Sequence, residues 1–76
     1  MDGTEYRRDM FTYLLCLTDG EPDDPASMVS AIPNWAVGEV ITLGAAEQRL
    51  ICAIDWEIAP ELVSAGFRAV FYVEPV

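Results

Sequence analysis

Trp35-Ala-Val-Gly-Glu-Val-Ile-Thr-Leu-Gly44, then Ala45-Ala-Glu-Gln48, then Arg49-Leu-Ile-Cys-Ala-Ile-Asp-Trp56 is the stretch of this chain that decides its fold. Two runs rich in β-branched residues, each carrying a tryptophan, flank a short polar turn, which predicts a β-hairpin. Strand alternation puts Val40 and Thr42 on one face of the first run and Ile41 and Leu43 on the other. In the second run Leu50, Cys52, Ile54 and Trp56 share one face, and Arg49, Ile51, Ala53 and Asp55 share the other.

Upstream of this hairpin, Met10 opens Met-Phe-Thr-Tyr-Leu-Leu-Cys-Leu-Thr, a strand pattern that Asp19-Gly20 ends. Leu14 to Leu17 is apolar on both faces, which predicts a strand covered on two sides. Asp19 to Pro25 reads as a solvated acidic loop, punctuated by two prolines and a glycine. Ser27 to Ile32 reads as a short strand, and Pro33-Asn34 then turns the chain into Trp35. Downstream, Ile58 to Gly66 is the one helical signal, a short turn near 59–65. There Pro60 suits the first helical position, Glu61 complements the helix dipole and Gly66 terminates it. Phe67 to Val73 is the last strand, stopped by Pro75. The expected architecture is all-β: a small five-stranded barrel over residues 10–76 as a single domain, preceded by a polar, disordered extension over residues 1–9.

With 76 residues the chain forms one domain, and a domain of that size buries only about 60% of its unfolded surface. An apolar content of 53% argues against disorder. No apolar run reaches the roughly 18–20 residues that span a bilayer, and the polar start carries no export signal, so the expected compartment is cytoplasmic. There are 13 acidic residues against four arginines, with no lysine and no histidine, for a net charge of −9. That charge repels phosphate backbones and anionic lipid, so neither nucleic acid nor membrane is expected as a partner. Lysine-free, alanine-rich usage points to a bacterial source. Cys16 and Cys52 each sit inside an apolar strand and read as buried, reduced thiols.

Chemistry-bearing patterns are sparse. Asp19, Glu21 and Asp23 have the spacing of the first ligands of a calcium loop. Asp24 stands where that loop needs glycine and Ser30 where it needs glutamate, so no metal is expected. Asp55 and Glu57 straddle Trp56 and read as exposed charges at a strand end rather than an acid–base pair. Without histidine, Ser27, Ser30, Ser64 and the cysteines have no imidazole to activate them. The glycines are scattered and form no phosphate loop, so no cofactor is expected. Among the aromatics Trp35 stands out at a loop-to-strand junction. With Tyr13 and Tyr72 it is the candidate contact surface for a partner.

The strand order, the acidic loop, Val37-Gly38-Glu39-Val40-Ile41-Thr42-Leu43 and the closing Phe71-Tyr72-Val73-Glu74-Pro75-Val76 resemble a Src-homology-3-like barrel (SH3-like). The chain lacks the Ala-Leu-Tyr-Asp-Tyr opening and the paired tryptophans of signalling members. The resemblance therefore implies the fold and not a proline-rich ligand. Met10-Phe-Thr-Tyr-Leu14, Asp19-Gly20, Val37-Gly-Glu-Val-Ile41 and Arg49-Leu-Ile-Cys-Ala-Ile54 are also similar to small uncharacterised actinobacterial proteins with a Met-Phe-Thr-Tyr-type first strand. That likeness implies no activity; it implies that Met10 matches the usual start. The expected function is a small non-catalytic cytoplasmic module that binds a protein partner. An acidic mimic that blocks a nucleic-acid-binding site is the alternative. A weak homodimer, promoted by salt, is expected through Ser27–Ile32 and Phe67–Val73 as edge strands.

Overall fold

The computed structural model describes residues 10–44 and 47–76. The expected extension over residues 1–9, and the hairpin tip at Ala45 and Ala46, lie outside the described residues. β1 is Phe11–Leu17, β2 Pro22–Ser30, β3 Val40–Leu43, β4 Glu47–Asp55 and β5 Phe67–Pro75, with the helix α1 at Pro60–Ser64. They form one five-stranded sheet in the order β2-β1-β5-β4-β3. The sheet is curled into a half-barrel, consistent with the small SH3-like class expected. Among the described residues no helix is long and apolar enough to cross a membrane.

The central hairpin forms, with different bounds: β3 begins at Val40 rather than Trp35, and Glu47 and Gln48, expected in the turn, belong to β4. β3 pairs antiparallel with β4, from Val40 opposite Leu50 to Leu43 opposite Glu47. Ile41 and Leu43 are buried while Val40 and Thr42 are exposed. The hairpin is entered by a turn in which Glu39 N–H donates to the Ala36 carbonyl at 3.1 Å. Gly38 sits third in that turn with φ +96°, the positive value that this position of a type II turn demands. The Glu39 carboxylate accepts from Ala36 N–H at 2.6 Å and closes the turn a second time.

The short helix also follows its signals. Pro60 opens it, Glu61 lies in its first turn, and Gly66, at φ +100°, ends it with N–H donating to the Val63 carbonyl at 3.0 Å.

The acidic segment is organised differently from the loop expected over Asp19–Pro25. The turn is shorter: Gly20 N–H donates to the Leu17 carbonyl at 2.9 Å, and Leu17 N–H to the Glu21 carbonyl at 2.7 Å. Pro22 to Pro25 already belong to β2. Prolines fit there because β2 is an edge strand, and a bulge in the β1–β2 pairing between Leu14 and Cys16 relaxes the ladder.

Phe67–Val73, expected at an edge, is instead the centre of the sheet. β5 pairs parallel with β1 and antiparallel with β4, so the edges are β2 and β3. Burial explains it. Ala69, Val70, Phe71 and Val73 are nearly inaccessible, as an edge strand would not allow.

Simple alternation also fails along β4. A bulge between Ile51 and Ala53 adds one residue against β5 and resets the facing of the strand. Ile51 is buried, and Ile54, three residues on, packs on the same core. The coverage expected on two sides of Leu14–Leu17 is unequal: Leu15 is buried, Leu14 and Cys16 only half so.

The core takes Tyr13 and Leu15 from β1, Ile41 and Leu43 from β3, Ile51 from β4, and Ala69, Phe71 and Val73 from β5. Tyr13 stacks on Phe71 with ring centroids 4.5 Å apart. Its hydroxyl donates to the Ile32 carbonyl at 2.7 Å, which satisfies the one polar atom of that buried side chain.

β2 and β4 are separated by β1 and β5, roughly 14 Å in a flat sheet at about 4.8 Å per strand. Curling brings them within reach of one ion pair. Arg49 Nε donates to Asp23 Oδ2 at 2.9 Å, and both side chains are largely withdrawn from solvent. Nη2 also donates to Glu47 Oε1 at 3.2 Å, and Nη1 to the Gln48 carbonyl at 3.1 Å. The expected solvated carboxylate at Asp23 is therefore a buried structural one.

Removing one partner of a buried ion pair strands the other charge. Asp23→Ala should lower the melting temperature by about 10 °C or more, measured by circular dichroism. The double variant Asp23→Leu, Arg49→Met should melt closer to the parent than Asp23→Ala does, because it leaves no buried charge behind.

Candidate functional site

β5 places Phe71 at the middle of the sheet, and three other aromatics gather on it. Tyr13 stacks flat against the ring, while Trp35 and Trp56 each meet it edge-on, with centroids 6.5 Å away. Trp35 is half-buried, and its indole Nε1 is shielded without a hydrogen-bond acceptor among the described residues. Trp56, just past the end of β4, keeps 42% of its surface exposed.

The cation of this cluster is Arg68. The β1–β5 register slips at this point, Thr12 facing Phe67 and Tyr13 facing Ala69, so Arg68 sits in a bulge. Its guanidinium carbon lies 4.7 Å from the Phe11 ring centroid and 5.6 Å from that of Trp56. Its Nε donates to the Pro33 carbonyl at 3.1 Å. Arg68 and Tyr13 thus hold two successive carbonyls, Pro33 and Ile32, and tie the 31–36 loop to the sheet.

Of the three residues expected to form a contact surface, Tyr13 and Trp35 meet around Phe71, but Tyr13 is fully buried and presents nothing to a partner. Tyr72 is half-buried and follows Phe71 directly along β5, so it points to the opposite face of the sheet. Sequence reasoning missed Phe11, Trp56 and Arg68. A usable signal was present: Arg68 is the one charge inside the otherwise apolar run from Phe67 to Val73.

Two of the acidic groups are turned to local structure. Asp19 Oδ1 accepts from Glu21 N–H at 2.9 Å, and Asp55 Oδ1 accepts from Glu57 N–H at 3.0 Å. With Asp23 committed to Arg49, the calcium-like spacing does not converge. Among the described residues no group of three His, Cys, Asp or Glu side chains is placed to hold a metal ion.

Cys16 and Cys52 are free and half-exposed rather than buried. They lie on β1 and β4 with β5 between them, about 10 Å apart at two strand spacings. A disulfide needs Cα atoms within roughly 7 Å, so this sheet holds the two thiols apart. Loss of hydration pushes the Cys16 thiol above its ordinary 9.0, helped by the Asp23 charge. The same loss raises Cys52, helped by Glu74. Burial raises Tyr13 above 10.0, against the opposing pull of Arg68. None of these groups is a ready nucleophile at neutral pH.

The folded chain therefore keeps these protons to higher pH than the unfolded chain does. Where the unfolded state binds fewer protons, stability falls as pH rises. The melting temperature should hold below pH 9 and decline as pH passes 9.0 and then 10.0, the ordinary values at which the unfolded thiols and phenol ionise. Calorimetry in steps of pH checks this, and a flat profile through that range would contradict it. A thiol titration of the denatured, unreduced chain should count both cysteines.

Compared with known protein families, curated proteins and solved structures, the chain finds no match, so the aromatic–arginine cluster is interpreted from its own geometry.

Proposed function

We propose that this chain is a small non-catalytic module of the cytoplasm that binds a protein partner through Phe11, Trp56 and Arg68, with Trp35 at the margin. One observation carries the reading: an exposed arginine held against a Trp56 ring that is itself 42% exposed. Tryptophan and arginine are the side chains that most often dominate interface energies. Here both are pre-positioned, by Phe71 and by the Pro33 carbonyl, so little side-chain freedom is lost on binding. The alternative, an acidic mimic of nucleic acid, needs carboxylates ranked along one face. It has less support, since Asp23 serves Arg49 and Asp19 and Asp55 serve their own turns.

Trp56→Ala and Arg68→Ala should each weaken capture of the native partner from source-cell lysate by about 30-fold or more, the scale of an interface hot spot. The melting temperature should move by only a few degrees. Undiminished capture by both variants would remove the proposal. A weak homodimer through the β2 or β3 edge belongs to the same reading. Sedimentation should show association rising toward about 0.5 M salt, where screening shortens to roughly 4 Å. A monomer throughout at high protein concentration would exclude it.

A further inference from the structure

We infer that Arg68 and its aromatic walls dock a single carboxylate of a partner peptide, one set among apolar or basic residues rather than in an acidic run. The inference rests on the proposed interaction surface and names the group that it recognises.

Two observations and one chemical property converge on it. First, the guanidinium is oriented before any ligand arrives. Phe11 and Trp56 flank it at 4.7 and 5.6 Å, and Nε is held by the Pro33 carbonyl at 3.1 Å. The residue as a whole stays exposed. Second, among the described residues, which hold ten of the chain's 13 acidic side chains, Arg68 makes no ion pair. Both described ion pairs belong to Arg49, and Asp55, next to Trp56, turns to Glu57 N–H instead. Third, a guanidinium is weakly hydrated and forked, so against aromatic faces it gives up little water and meets a carboxylate with two parallel donors.

The net charge then limits the partner. At a net charge of −9 the chain as a whole repels a polyacidic segment. Screening over about 8 Å at physiological salt leaves a lone carboxylate on a neutral or basic background free to approach Arg68. The site therefore selects for one acidic group and against several.

Nitrogen-15 NMR of the full chain tests this with three blocked pentapeptides. They are Ac-Lys-Leu-Glu-Leu-Lys-NH2, its glutamine counterpart, and Ac-Glu-Leu-Glu-Leu-Glu-NH2. The first should shift the Arg68 Nε–H and Trp56 indole signals saturably, with affinity roughly tenfold or more above the other two. Arg68→Gln should abolish that preference while leaving the folded spectrum intact. Equal binding of the glutamate and glutamine peptides at Trp56 would overturn the carboxylate inference and leave the interaction surface standing. No saturable shift at millimolar peptide, or shifts away from Arg68, would also overturn it. So would binding seen only in a Glu5→Gln, Asp9→Asn variant, since the chain's own carboxylates would then be the occupant.

Discussion

A guanidinium and a carboxylate from non-adjacent strands hold this sheet in its curl. Arg49 on β4 reaches Asp23 on β2 across the width of two intervening strands, and its remaining donors meet Glu47 and backbone carbonyls at Gln48 and Asp24. β2 and β3 are the edges of the sheet, and among the described residues no ladder joins them. Side-chain hydrogen bonds take the place of the missing strand pairing. They fix the curvature that lets Ile41 and Leu43 at one end share a core with Tyr13 and Leu15. An ion pair suits this position because its partners are directional, whereas apolar contact alone would leave the curvature loosely specified.

Phe71 depends on that curvature. Its ring takes a stacked partner and two edge-on ones, an arrangement that a flat sheet could not assemble from β1, β4 and the 31–36 loop. With the inner ring positions filled, Trp56 is left half outside, and it becomes one wall for Arg68. The exposed cluster is thus a by-product of how the core is packed. Its rigidity comes from Phe71 and the Pro33 carbonyl rather than from a partner.

The two described arginines show how burial decides the role of a charge. Arg49 is enclosed and must be neutralised, so it gathers Asp23 and Glu47. Arg68 keeps contact with water and needs no counter-charge; aromatic faces and one carbonyl suffice to orient it. In a chain of net charge −9, the exposed arginine is the feature that sets this face apart from its surroundings.

Local pattern alone determined the hairpin at Val40–Asp55, the helical turn between Pro60 and Gly66, and the all-β class. Each rests on neighbours within a few residues: alternation, a proline at a helix start, glycines where φ must be positive. The bulges near Cys52 and Arg68 were not legible, because a bulge is defined against the partner strand. Nor was the central place of β5, which requires the parallel pairing with β1, distant in sequence. Asp23 looked like one more solvated carboxylate until curvature brought Arg49 to it, 26 positions away. The candidate site was half legible. Trp35 was picked out by its junction, but Trp56 and Arg68 acquire meaning only beside Phe11 and Phe71. That proximity is set by strand order and curl, which no local stretch of the chain encodes.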